Sequence, residues 1–391
     1  MYGNTPTLGL LLLIACLVAI VCRRLGQPFT IGLVLAGIGL SISGYKSGIT
    51  LTPELVFSVL LPPLVFEAAL HLGWGQFRRE GALVLSLAFG GTLLSAGVVA
   101  GGMHWLAGWG WPASLLFGSL IAATDPVSVI AMMKEQHADK RLRFLMEAES
   151  LINDGAAAVL FALVAAWVAG SATSPAGIAM TLISTVGGGV ALGLAVAGGL
   201  LLIAGRSDDH LVETTLTVLA AYGSFMLAED LHVSGVLATL SAGMLIGNRG
   251  QRRALSEVGG RAIIRFWEFA AFLANSVVFL LIGSREAAQP IAAFWLPAVI
   301  GTVTVLAGRA AAIYPITPFF ARTRMATDKL TRHILFWGGL RGAMALALAL
   351  GAPESLPEHD ALVSVAFAVV AFSIFVQGLT MPLLLRKSAT P

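Results

Sequence analysis

Long apolar runs recur along the whole chain, each near the roughly 20 residues that a helix needs to cross a bilayer. About thirteen of them fit, which uses about two-thirds of the 391 residues and leaves little for any soluble domain. Hydrophobic residues make up 57 % of the chain and charged residues 12 %. A soluble domain carries about twice that charged fraction. The mean hydropathy of +0.87 agrees. The expectation is an all-α polytopic membrane protein, a single membrane domain over residues 1–391, and no large extramembrane enzyme. Cys16 and Cys22 both sit in the first run, which argues against a disulfide framework or structural zinc. No phosphate-binding turn, dinucleotide fingerprint or nucleic-acid module is present in the sequence.

Spans are expected at 6–22, 28–44, 53–71, 81–106, 112–133, 144–169, 176–204, 213–229, 231–247, 266–283, 291–315, 331–350 and 361–385. The weakest separation is at Glu229 and Asp230. Read as one span, that region would flip everything downstream. With the N-terminus outside, 20 of the 24 lysines and arginines fall in cytoplasmic loops. These are Arg23 and Arg24; Arg78 and Arg79; Lys134, Lys140, Arg141 and Arg143; Arg206; Arg249, Arg252, Arg253, Arg261 and Arg265; Arg322, Arg324, Lys329 and Arg332; and Arg386 with Lys387. Only Lys46 and Arg285 fall outside, and Arg309 and Arg341 lie within apolar runs. This bias predicts an outer N-terminus and a cytoplasmic C-terminus. The uncharged start followed by Arg23 and Arg24 reverses the polarity of a signal peptide, so the first span is expected to be retained. The chain is expected to end shortly after the last span, without a regulatory tail. Ser256 to Arg265 is a candidate interface helix, and Trp105, Trp109 and Trp111 are candidate anchors at the outer boundary.

Ionisable residues inside spans separate a transporter from a bundle, because an unpaired charge at mid-membrane costs at least about 2.5–3.5 kcal/mol. The fifth span contains Thr124-Asp125-Pro126. Proline lacks an amide hydrogen and pushes its predecessor out of the α region. An unwound stretch is expected there, of the kind that offers carbonyls and helix ends to a bound ion; a locally satisfied kink is the bland alternative. The sixth span carries Glu149-Ser150-Leu151-Ile152-Asn153-Asp154-Gly155. Ser150 and Asp154 are four apart and share a face, and Glu149 and Asn153 form a second such pair on an adjoining face. A carboxylate with serine and amide oxygens makes a hard-cation site. Asp154 can also hold a proton, and competition between proton and cation for one carboxylate produces exchange if access alternates.

Arg309 stays protonated and needs a carboxylate partner. Glu149 is the first choice, which would leave Asp154 free to titrate. Arg341, among Gly338, Gly339 and Gly342, marks a second broken span and is the other candidate partner of Glu149, or a support for the broken helices. The two broken spans are the fifth and the twelfth, the offset expected of two six-span inverted repeats joined by a linker. Approximate repeats are 1–169 and 213–391, with a linker helix at 176–204. Glu67 follows Leu61-Pro62-Pro63 near the cytoplasmic end of the third span, either as a second carboxyl of the ion site or as an interface acid. Glu229 and Asp230 are expected at the outer mouth.

At these residues the chain resembles bacterial sodium/proton antiporters of the monovalent cation:proton antiporter-1 group, relatives of the animal sodium/hydrogen exchangers. The similarity runs through Leu61 to Ala69, Thr124-Asp125-Pro126, Glu149 to Gly155, Gly308-Arg309-Ala310, Gly338 to Gly342, and Gln377 to Pro382. The resemblance implies about thirteen transmembrane helices in inverted six-helix repeats with broken crossing helices. It also implies a core moving against a dimerisation domain, a homodimer, and the bacterial plasma (inner) membrane. Asp154 would bind ion and proton, with sodium held at Asp154, Ser150 and Asp125, and with Thr124, Asn153 and Glu67 around it. Glu149 and Arg309 match a structural ion pair. Pro126, Gly339 and Arg341 would support the broken helices. Asn153 matches the asparagine of electroneutral members, which implies one sodium, or lithium, exchanged for one proton by alternating access. No cofactor, covalent step or nucleic-acid partner is implied; the partners are monovalent cations, protons and membrane lipids.

A potassium/proton antiporter on the same fold is the nearest alternative, since spacing in a sequence does not resolve cation size. A cation channel would want a repeated filter and a continuous pore. A membrane-embedded hydrolase would want a nucleophile–base or metal cluster within the membrane, and the histidines avoid the acidic centre.

Overall fold

The computed structural model describes residues 5–25, 27–44, 49, 51–170, 175–204, 209–250, 256–287, 289 and 291–388. Lys46, Arg206, Arg252 and Arg253, counted above for orientation, lie outside the described residues, as do residues 1–4. All regular elements among the described residues are helical. Among the described residues seven helices are long and apolar enough to cross a membrane: Trp74–Ala107, Lys140–Val168, Ala179–Ala204, His210–Asp230, Glu257–Glu286, Ala292–Phe319 and His359–Arg386. Shorter apolar helices span Phe29–Ile42, Leu55–His71, Trp111–Ile121 and Gly235–Asn248, and the first helix is Thr5–Leu25.

Local chemistry explains where the helices begin and break. Asp139, Asp209, Ser234, Ser256 and Asp328 each cap a helix start by accepting a backbone N–H with the side chain. The apolar region around Glu229 divides in two. One helix ends at Asp230, His232 takes φ +56°, and Ser234 caps the next helix. Two regions are each a pair of half-helices. Trp111–Ile121 and Val127–Glu135 flank a non-helical stretch ending at Pro126, and Lys329–Trp337 and Ala343–Leu350 flank Gly338 to Gly342. Residues 256–265 differ from the sequence expectation. They are the first turns of the long Glu257–Glu286 helix, not a separate interface helix. Buried Glu213 accepts from the Ser256 amide (3.0 Å) and hydroxyl (3.1 Å), and this ties that helix start to the neighbouring helix His210–Asp230.

The helices pack as two groups. One joins Phe29–Ile42, Leu61–His71, Pro175–Ala204, His210–Asp230, Gly235–Leu245 and Glu257–Glu286. The other joins Thr92–Ala107, Trp111–Ile121, Lys140–Val168, Trp295–Phe319, Ala343–Leu350 and His359–Phe372. Within the first group close approaches use glycine. A Cβ on Gly37 would run into the backbone of Leu280 to Ser284, and one on Gly283 into that of Val34. Small residues let apolar helices gain packing contacts where lipid supplies no hydrophobic drive. Cys16 and Cys22 are free thiols.

Candidate ion site

The two broken helices cross, and their interrupted backbones satisfy each other. The Asp125 amide donates to the Leu340 carbonyl at 2.7 Å. Arg341, 2 % exposed, donates through Nη1 to the carbonyls of Ala122 and Ala123, both at 2.9 Å. Those carbonyls follow the end of Trp111–Ile121, so the guanidinium sits at the negative end of that half-helix. The Asp125 carboxyl sits at the opposite pole of both broken helices. It accepts from the Val127 amide at 3.1 Å, and the Ala343 amide points at it from the second helix. A Cβ at Gly342 would strike this carboxyl, so the crossing requires glycine there.

The Lys140–Val168 helix supplies the next layer. The Ser150 hydroxyl donates to the Thr124 carbonyl at 2.5 Å. Asn153 is turned toward the break. Its Oδ1 accepts from the Thr124 amide (3.2 Å), and its Nδ2 donates to Thr124 Oγ1 (2.7 Å) and to Glu149 Oε1 (3.0 Å). Arg309 donates to Glu149 twice, Nη1 to Oε1 at 2.7 Å and Nη2 to Oε2 at 3.0 Å. It also holds the Leu335 carbonyl, at the end of the second broken helix, with Nε and Nη2. Gly339 lies against this guanidinium with no room for a Cβ. Glu149 thus takes Arg309, while Arg341 takes backbone carbonyls.

Asp154 differs from these groups. Its Oδ1 is buried and has no hydrogen-bond partner among the described residues. It faces a cavity of about 250 Å³ shared with Thr124, Asp125, Pro126, Ser150 and Glu67. Two carboxyls with hydroxyl and carbonyl oxygens form a hard-oxygen set suited to a small cation. Asn153 does not line this cavity; its amide is spent on Thr124 and Glu149. Lys134, Glu147 and Asn275 also line it, and none was assigned to the ion site from sequence. The signal for Asn275 was available, as a lone amide inside the apolar run Phe272 to Val278.

The cavity lies where the two helix groups meet. Leu61, Glu67, Ala271 and Asn275 come from one, and Asp125, Asp154 and Ala343 from the other. A second cavity, about 480 Å³, begins one helical turn beyond Asp154 at Ala158 and is lined by Phe57, Ala162, Glu229 and Ala347. Glu229 also accepts from the Gly235 amide at 3.0 Å.

A buried carboxyl oxygen without a partner among the described residues thus faces a cavity between two helix groups, with a neutralised ion pair behind it. The family described as sodium/hydrogen exchanger, transmembrane, matches residues 11–387. The chain is 36 % identical over 364 residues to the Na(+)/H(+) antiporter ApNhaP of Aphanothece halophytica, covering 92 % of this chain and 69 % of that protein. It is 30 % identical over 392 residues to the Na(+)/H(+) antiporter NhaH of Halobacillus aidingensis, covering 97 % and 96 %. The solved structure of the sodium proton antiporter MjNhaP1 from Methanocaldococcus jannaschii at pH 8 superposes with a TM-score of 0.77 at 19 % identity, over 98 % of both chains. The fold is therefore that of an all-α polytopic membrane antiporter, and the chain belongs to the transmembrane sodium/hydrogen exchanger family.

Proposed function

We propose that this secondary sodium/proton antiporter exchanges one sodium, or lithium, ion for one proton by alternating access, with cation and proton competing for Asp154. The observation that carries this reading is the free Oδ1 of Asp154 in a cavity beside Asp125, Ser150 and Thr124. Glu149 has its charge matched by Arg309, which leaves Asp154 as the exchangeable carboxylate. Asn153 is uncharged, which supports an electroneutral cycle. Asp125 orients the half-helix ends, and the Thr124 carbonyl and Ser150 hydroxyl supply neutral oxygens. Glu67, at the same cavity, is the second carboxyl. Pro126, Gly339 and Arg341 keep the broken backbones in place.

On this reading the chain crosses the bacterial plasma membrane about thirteen times. Its N-terminus is outside and its C-terminus is in the cytoplasm, as the distribution of lysine and arginine supports. The inverted repeats are 1–169 and 213–391, and 176–204 is the linker. The helix group holding Asp154 moves against the other group, which forms the homodimer contact. The cavities on either side of Asp154 support alternating access, with only one helical turn between them.

Proteoliposomes with an acidic interior and a trapped pH dye test this. Sodium added outside should alkalinise the interior. Asp154→Asn should abolish the response, and clamping the membrane potential should leave it unchanged. A response to potassium alone would reassign the cargo. A potential-dependent rate would overturn the one-for-one cycle, and normal exchange by Asp154→Asn would remove that residue as the carrier.

A further inference from the structure

The floor and the mouth of the Asp154 cavity differ in charge. On the Lys140–Val168 helix the lining residues Glu147, Ser150 or Leu151, and Asp154 are spaced three to four apart, so they form one stripe from mouth to floor. Glu147 therefore stands about 10 Å along the axis from Asp154. The Val127–Glu135 half-helix runs the opposite way, from Pro126 beside the floor to Lys134 at the mouth, and it lines the cavity through Val127, Ile130, Ala131 and Lys134. Glu67 closes the third side. Its own helix places His71 beside it, with Nδ1 3.4 Å from Glu67 Oε1.

Lys134 is exposed and within electrostatic reach of both Glu67 and Glu147. Among the described residues it makes no ion pair within 4 Å and no hydrogen bond with either. His71 and Glu268 also act on Glu67, and His71 and Arg143 on Glu147. An exposed ammonium within electrostatic reach of two carboxylates has the charge of an arriving sodium ion. It occupies the potential well that the carboxylates would otherwise offer that ion.

We propose that Lys134 is a tethered counter-cation at the mouth of the cavity, and that it sets the apparent affinity for sodium on the cytoplasmic face by competing with sodium for Glu67 and Glu147. The inference rests on reading this cavity as the cytoplasmic sodium path. Lys134 is a positioning residue, because it acts through the vestibule carboxylates and not on the ion at Asp154.

Everted membrane vesicles expose the cytoplasmic face, so a pH dye can follow exchange against added sodium chloride. Lys134→Gln should lower the apparent KM about threefold at low salt, the order of effect of removing one competing charge from a partly solvated mouth, with maximal rate little changed. Glu147→Gln should raise KM by a similar factor, and Lys134→Arg should keep the wild-type value. Added choline chloride should shrink both differences by screening, which a structural defect would not do. An unchanged KM in Lys134→Gln, or shifts of the same sign in Lys134→Gln and Glu147→Gln, overturns the proposal. If Lys134→Gln does not reach the membrane, an unchanged or lowered KM in Glu147→Gln does so alone. Absence of sodium exchange by the unaltered protein in these vesicles would instead sink the reading of the site.

Discussion

Arg309 and Glu149 meet through two parallel hydrogen bonds, of 2.7 and 3.0 Å, across 160 residues of chain. Both side chains are buried, at 7 % and 3 % exposure. This fork-to-fork geometry neutralises one carboxylate of the sixth expected span, while its neighbour Asp154 makes no ion pair among the described residues.

Breaking the pair should be costlier than deleting it. Arg309→Met leaves Glu149 buried without a counter-charge, and a loss of about 3–5 kcal/mol is expected. The double variant Arg309→Met, Glu149→Leu should lose markedly less than the sum of the two single changes. Denaturant or thermal unfolding of the detergent-purified proteins measures all three. Additive losses would mean that the two residues act independently.

Asn153→Asp tests why an amide stands there. Its Nδ2 donates to Thr124 and to Glu149, and a carboxylate has nothing to donate. The change removes two buried hydrogen bonds and sets like charges together, so a destabilisation of about 2 kcal/mol or more is expected. An unfolding midpoint equal to that of the unaltered protein would contradict the assigned role of the amide.

Gly342→Ala should damage transport while sparing the helices. The added methyl displaces the Asp125 carboxyl from the ends of both half-helices. Overpacking costs about 1–3 kcal/mol, and the maximal exchange rate should drop about tenfold or more. Circular dichroism should retain the helical signal. Full-rate exchange by this variant would show that the crossing tolerates movement.

Asp328 supplies a pH test outside the membrane. It caps the Lys329–Trp337 helix by accepting from the Thr331 amide at 3.1 Å. The hydrogen bond from the Thr331 side chain, with backbone amides, holds its carboxyl below the ordinary aspartate value of 3.8. The capped form is the carboxylate, so its stabilisation is complete above that ordinary value and is lost as pH falls through the lower, folded-state value. Asp328→Ala should cost about 0.5–1 kcal/mol at neutral pH, the low end for an exposed cap, and nothing in strong acid. A gap between the two proteins that widened on acidification would reverse the sign of the argument.

Much of the site was legible because its grammar is local. Pro126 marks the first break by removing an amide, and Gly338 to Gly342 mark the second. Ser150 and Asp154 share a face because they are four residues apart, and both line the cavity. Residues 256–265 read as a separate amphipathic piece because periodicity does not say where a helix ends. The link from Glu213 to Ser256, which ties the start of the long helix to its neighbour, is a contact across 43 residues.

By itself the sequence determined the apolar runs, the two breaks and the short-range faces, since each depends on residues within a turn or two of one another. Only the tertiary structure decided which arginine meets Glu149 and which caps the carbonyls of Ala122 and Ala123. It alone turned the Asn153 amide toward Thr124 and away from the cavity, and brought Lys134, Glu147 and Asn275 to the cavity that holds Asp154. The reason is physical. A charge buried in apolar surroundings must find a partner, but its identity depends on how distant helices pack, and that packing is set by glycine contacts and crossings between segments far apart in the chain.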